Sequence, residues 1–157
     1  MPAGGGSRTV SVTTGTGCAW TASTGTAWIT ITSGAGGKGN GSVAFNVAAN
    51  LGPAGTGTLT IGGQTFTVDQ ASGCVYSINP RSRDFDKEGG TGSVQVTAPV
   101  GCGWTATPTA SWITVTAGGS GSGNGTVTYT VAEVKPKGTR TGTITIAGQT
   151  FTVEQEK

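Results

Sequence analysis

The sequence predicts an all-β chain, built as two small antiparallel β-sandwiches in tandem. Three observations carry that expectation. Thirty glycines stand among 157 residues, of which only 10% are charged, and each Gly disfavours a helix by about 0.8–1 kcal/mol relative to Ala. Apolar residues alternate with Thr and Ser along short runs, the period of two that a strand imposes when one face is buried. Most of the chain, finally, is written twice.

The repeat sets the domain plan. Gly17–Thr32 reads GCAWTASTGTAWITIT, and Gly101–Thr116 reads GCGWTATPTASWITVT. Cys18, Trp20, Trp28, Asn40 and Phe45 match Cys102, Trp104, Trp112, Asn124 and Tyr129 at an offset of 84. A one-residue gap near Ala49–Gly55 moves the later matches to 85, so that Gly57, Gln64 and Gln70 answer Gly142, Gln149 and Gln155. GQTFTV is identical in both copies. A period this long exceeds a solenoid unit, so each copy is expected to be a whole domain, 1–70 and 71–157, divided at QASG.

Seven strands are expected in the second copy. Tyr76 and Ile78 share a face, then Val94 and Val96, then Cys102, Trp104 and Ala106. Ile113 and Val115 follow, then Val127, Tyr129 and Val131, then Ile144 and Ile146, and last Phe151 and Val153. AGQ at Ala147–Gln149, like GGQ at Gly62–Gln64, is a tight hairpin between the last two strands. Asn40-Gly41 and Asn124-Gly125 read as hairpin turns, because both residue types tolerate positive φ. Seven short strands without a helix favour an immunoglobulin-like sandwich over a small barrel.

Several function classes are excluded or disfavoured. A net charge of +2, scattered along the chain, is no nucleic-acid footprint. No apolar run approaches the length of a membrane span. The opening MPAGGGSRTV lacks the apolar core of a signal peptide, so the sequence is either an excised fragment or reaches its destination without that signal. There is no histidine, no GxSxG elbow and no carboxylate pair common to both copies, so the chain is expected not to be an enzyme. Neither a cofactor nor a metal is expected. The charged stretch Arg81–Glu88 brings Asp84, Asp86 and Glu88 to alternating positions, as a calcium loop would. Arg81, Arg83 and Lys87 oppose that, and a solvated loop is the favoured reading. The glycine-rich stretches Ser33–Ser42 and Ala117–Thr126 are followed by strands, not helices, and so are not phosphate loops.

The order C-x-W-T-A, W-I-T, G-x-G-N-G and R-T-G-T-I-T-I-A-G-Q-T-F-T-V-x-Q resembles a BACON domain, named for Bacteroidetes-associated carbohydrate-binding, often N-terminal. The second copy matches from Cys74 to Gln155 and the first from about Val10 to Gln70. The resemblance implies tandem immunoglobulin-like sandwiches of the kind found in secreted bacterial proteins beside glycoside hydrolases, and in phage structural proteins. It implies a non-catalytic, extracellular or surface-displayed binding or adhesion module with glycans as partners. The alternative is a structural spacer or assembly unit, such as a virion decoration or fibre protein.

Trp28 and Trp112 are the candidate ligand-binding residues. Alternation places them with Thr30 and Thr114, opposite Ile29 and Ile113, as partly exposed rings on which a sugar's apolar face would stack. The competing and favoured reading is that each ring covers the open end of its sandwich. Trp20 and Trp104, two residues after a cysteine on the same strand face, are expected in the core. Cys74 opens the first strand of the second copy and Cys102 lies beside Trp104, so the two are expected to form a disulfide. The first copy has no counterpart of CVYSI ahead of Val10. Cys18 is therefore expected as a free thiol, buried beside Trp20. The sandwich edge that Cys74–Ile78 would fill is expected to lie open, as a site of chain–chain contact or the mark of a truncated sequence.

Overall fold

The computed structural model describes residues 1–135 and 138–156, in which the chain forms two compact units, Met1–Gly73 and Cys74–Lys157. Unit 1 contains β1 (Gly6–Val12), β2 (Ala19–Thr24), β3 (Ile29–Ser33), β4 (Gly36–Lys38), β5 (Gly41–Val47), β6 (Gly55–Ile61) and β7 (Gln64–Gln70). These make two sheets, β1-β5-β3 and β4-β2-β6-β7. Unit 2 contains β8 (Ser77–Asn79), β9 (Ser82–Phe85), β10 (Gly90–Thr97), β11 (Gly103–Pro108) and β12 (Ile113–Ala117). It continues with β13 (Ser120–Ser122), β14 (Gly125–Val131), β15 (Arg140–Ile146) and β16 (Gln149–Gln155). Its sheets run β8-β10-β14-β12 and β13-β11-β15-β16-β9. Both units are all-β sandwiches of the immunoglobulin-like kind.

Period-two alternation builds each core. Val43, Phe45 and Val47 on β5, and Val127, Tyr129 and Val131 on β14, turn inward on the central strand of one sheet. Leu59 and Ile61, and Ile144 and Ile146, meet them from the other. Fully burying such a side chain contributes about 1.5–3 kcal/mol, so each unit rests on its own cluster. The last hairpins turn through Gly62–Gly63 (φ 55° and 78°) and Ala147–Gly148 (φ 51° and 73°), two consecutive positive φ values that match a type I′ turn.

One pair of differences between the copies is compensated in place. Gly92 faces Tyr129 across β10 and β14, where unit 1 sets Arg8 against Phe45. A Cβ on Gly92 would lie 2.4 Å from the Tyr129 hydroxyl, so the glycine makes room for the phenol oxygen.

Three expectations need correction. Ser82–Phe85 is not loop but β9, paired parallel to β16, and Phe85 enters the core at its end. Its charged side chains Arg83 and Asp84 stay exposed, so only one residue in the strand shows the apolar signal. The first strand of unit 2 starts at Ser77, and Cys74 precedes it. Asn40-Gly41 and Asn124-Gly125 are not hairpin turns, because β4 pairs with β2 while β5 pairs with β1 and β3. The chain there crosses between sheets, and the positive φ falls on Gly39 (67°) and Gly123 (71°) instead.

Candidate functional site

The glycine-rich crossings are sockets for tryptophan. Trp20 is 8% exposed and Trp104 6%. Trp20 Nε1 donates to the Gly39 carbonyl at 2.8 Å, and Trp104 Nε1 to the Gly123 carbonyl at 2.8 Å. A Cβ on Gly37 or Gly41 would sit 2.7 or 2.6 Å from Trp20 Cζ2, and one on Gly121 or Gly125 2.4 Å from Trp104 Cζ2. Two glycines thus flank each ring while a third turns its carbonyl to the indole N–H, a partner that a buried indole requires. Asn40 Oδ1 accepts from the Thr14 N–H at 2.9 Å, and Asn124 Oδ1 from the Ala98 N–H at 3.0 Å, tying the crossing to the preceding loop. C-x-W with G-x-G-N-G is therefore one packing device.

Trp28 and Trp112 are half-buried and pack against their own cores together with Ile29 and Ile113. Each stands in a turn just ahead of its strand, closed by the Ile29 N–H to Thr26 carbonyl bond (3.0 Å) and the Ile113 N–H to Ala110 carbonyl bond (3.1 Å). Strand alternation does not extend into a turn, so placing these tryptophans on the face opposite Ile29 and Ile113 was incorrect. Each ring lies over a glycine: a Cβ on Gly57 or Gly142 would be 2.7 Å from its Cζ2. The two rings then part company. The Arg140 guanidinium stacks over Trp112, 4.1 Å from the ring centroid, and is held there by bonds to Gln155 Oε1 (2.8 Å) and the Ala132 carbonyl (2.6 Å). The equivalent position in unit 1 is Gly55, so among the described residues no guanidinium from that position covers Trp28.

A disulfide joins Cys74 to Cys102, with Cα atoms 5.6 Å apart. Cys18 is a free cysteine, and it is exposed rather than buried beside Trp20. The cause is the flank of the sandwich. In unit 2, β8 lies along β10 and β9 along β16, so the stretch from Cys74 to Phe85 closes one side and covers Cys102. In unit 1 the corresponding strands β1 and β7 are both sheet edges. Met1 stands where Phe85 stands: its carbonyl accepts from the Ala71 N–H at 2.9 Å, as that of Phe85 does from Glu156 at 2.9 Å.

The uncovered flank forms two grooves, of about 570 Å³ and about 190 Å³, both lined by Val10 and Phe66. Phe66 is 37% exposed where its counterpart Phe151 is 0% exposed. Val10 and Val12 are half-buried where Val94 and Val96 are buried. Phe66 was missed as a site residue because GQTFTV reads as core in both copies. The usable signal was what that phenylalanine lacks a cover from, not the residue itself.

A family model described as the viral BACON domain matches residues 2–73 and again 75–155. The chain belongs to the viral BACON domain family. No curated protein matches it in sequence. Among solved structures, a GH5 xyloglucanase from Bacteroides ovatus is 22% identical over 52% of this chain and 19% of its own, with a TM-score of 0.47. Domains 4 and 5 of the S-layer protein SbsC are 18% identical over 70% of this chain and 66% of theirs, with a TM-score of 0.37. The D0-D1 domain of intimin is 9% identical over 99% and 92%, with a TM-score of 0.33.

The remaining polar groups lie apart from these features. Among the described residues no three His, Cys, Asp or Glu side chains gather as a metal site, so Asp84, Asp86 and Glu88 do not converge. Lys87 pairs with Glu88 at 3.4 Å on the surface. No helix among the described residues is long and apolar enough to cross a membrane. The Tyr129 hydroxyl is buried without a hydrogen-bond partner among the described residues, and burial pushes its pKa up while Arg83 opposes the shift.

Proposed function

We propose that this pair of BACON domains is a non-catalytic structural module displayed on a virion, holding or spacing other components. The observation that carries the reading is how the repeated motifs are used. The tryptophan sockets of Trp20 and Trp104 are common to both units and serve packing, while the outer rings diverge, one under Arg140 and one not. The packing role repeats, whereas the surroundings of the outer ring do not. The description of the family as viral supports the location. Mass spectrometry and immunogold labelling of purified particles test it. The chain is expected on intact virions, and its presence in infected cells but absence from particles would overturn the reading.

A second reading, carbohydrate contact through Trp28, is favoured by one feature: Gly55 leaves that ring without the guanidinium that covers Trp112. A glycan array with the full chain and its Trp28→Ala variant tests it. Under this reading binding is lost in the variant, whereas equal signals from both would sink it.

A further inference from the structure

The strand register of unit 2 fixes how a pull along the chain would act on it. Unit 1 precedes Cys74, so tension along the chain enters unit 2 at that residue and leaves it at the end of β16. The Cys74–Cys102 bond passes the load directly to Cys102, which immediately precedes β11. β11 runs antiparallel to β15, and β15 antiparallel to β16, so β11 and β16 point the same way. Ala106 lies opposite Ile146 and Ile146 opposite Gln149, whereas Gln155 lies opposite Arg140. Cys102 and Gln155 therefore stand at opposite ends of the sheet. β9 also runs parallel to β16, from Ser82 opposite Thr152 to Phe85 opposite Gln155.

We propose that unit 2 is a tension-bearing element, in which a pull along the chain is resisted by β16 held between β15 and β9. To leave, β16 must slide past both neighbours along the strand direction. β15 pairs with it over its whole length, Arg140–Ile146 against Gln149–Gln155. The β9 ladder is bracketed by bonds from the Thr152 N–H to the Arg81 carbonyl and from the Glu156 N–H to the Phe85 carbonyl, each 2.9 Å. Bonds that cross the direction of pull are strained together, whereas a hairpin opened from its free ends loses them one at a time. The core opposes the same motion. A slip of one residue would turn Phe151 and Val153 outward and bring Thr150 and Thr152 in. The disulfide also encloses Val75–Gly101, which cannot be drawn out while the bond is intact. A spacer need not be strong under tension, and such strength does not depend on where the chain is displayed, so the two readings can fail separately.

The test is single-molecule force spectroscopy on the full chain in two pulling geometries. In the first the chain is held by its two ends. In the second the N-terminal handle moves to an azide-bearing residue replacing Gly138, where a Cβ meets nothing within 4 Å. That handle loads Arg140 against Gln155 at the same end of the β15–β16 hairpin and peels it open. A thiol reductant identifies the unit 2 event in the first geometry. Opening Cys74–Cys102 frees a separation of 28 residues, less the 5.6 Å already spanned, and so lengthens the step by about 90 Å. At one loading rate, end-to-end pulling of the oxidised chain should need roughly twofold or more the force of peeling. The bonds of Arg81 and Phe85 to β16 show that odd-numbered residues of β9 turn their backbone groups to that strand. Arg83→Pro, which removes such an N–H, should therefore lower the end-to-end force toward the peeling value. Arg83→Ala and Asp84→Pro, which keep it, should retain most of the force. Equal forces in the two geometries would overturn the proposal, and that comparison stands even if Arg83→Pro does not fold. Equal losses from Arg83→Pro and Asp84→Pro would overturn it as well.

Discussion

Replacing Gly121 by Ala should destabilise unit 2, because its new methyl group would meet an indole ring that has nowhere to go. The added Cβ would stand 2.4 Å from Trp104 Cζ2 and 2.7 Å from Cε2, well inside contact distance. Overpacking of this kind costs about 1–3 kcal/mol. Moving the ring also strains the 2.8 Å bond from Trp104 Nε1 to the Gly123 carbonyl, whose loss would add about 1 kcal/mol. The expected total is about 2–4 kcal/mol, a large share of the stability of a domain this size. Gly119 is the control, since a Cβ there meets nothing within 4 Å, and Gly119→Ala should be neutral or slightly stabilising. Urea unfolding of the full chain, with 5-fluorotryptophan resonances reporting on each unit separately, supplies the two midpoints. Adding Trp104→Phe should recover part of the loss, which a double-mutant cycle would read as coupling. Equal midpoints for Gly121→Ala and Gly119→Ala would refute the socket.

Other expectations follow from differences between the units. Opening the Cys74–Cys102 bond by Cys74→Ala with Cys102→Ala should lower unit 2 stability by about 3–4 kcal/mol, given the 28-residue separation, and leave the unit 1 midpoint unmoved. Phe151→Ala should cost about 3–5 kcal/mol, but Phe66→Ala clearly less, because part of that ring is already in water. Tyr129→Phe should stabilise unit 2 by about 1 kcal/mol, since it removes a buried hydroxyl without a partner and restores the residue that unit 1 uses. It should also change the alkaline limb. A tyrosine whose folded pKa is raised keeps its proton in the native state, so stability is full below the ordinary pKa near 10 and falls as pH rises beyond it. Denaturation midpoints in that range should fall less steeply with Phe at 129.

The residues that alternate cleanly made the strands legible: Val127, Tyr129 and Val131, or Phe151 and Val153, allow no other inward face. The repeat made the two units legible as well, because whole motifs recur at one offset. Ser82–Phe85 escaped because the strand lies at a sheet edge, where Arg83 and Asp84 stay in water and only Phe85 carries a core signal. The face assigned to Trp28 and Trp112 was wrong because strand periodicity was carried into a turn, and the Arg140 that distinguishes the two rings lies far along the chain. Cys18 was misplaced for a related reason. Its own neighbours match those of Cys102, but burial of Cys102 depends on a segment that the first copy does not repeat.

The central claim is that the two BACON units share a scaffold and differ at one flank, closed in unit 2 and open in unit 1. Residue-resolved amide hydrogen exchange of the full chain tests it most directly at Thr67 and Thr152. The Thr152 N–H is bonded to the Arg81 carbonyl at 2.9 Å, whereas Thr67 lies on the edge strand β7. Exchange at Thr152 should be slower by about two orders of magnitude or more, while the interior residues Leu59 and Ile144 remain comparably protected. Equal protection at Thr67 and Thr152 would contradict the account.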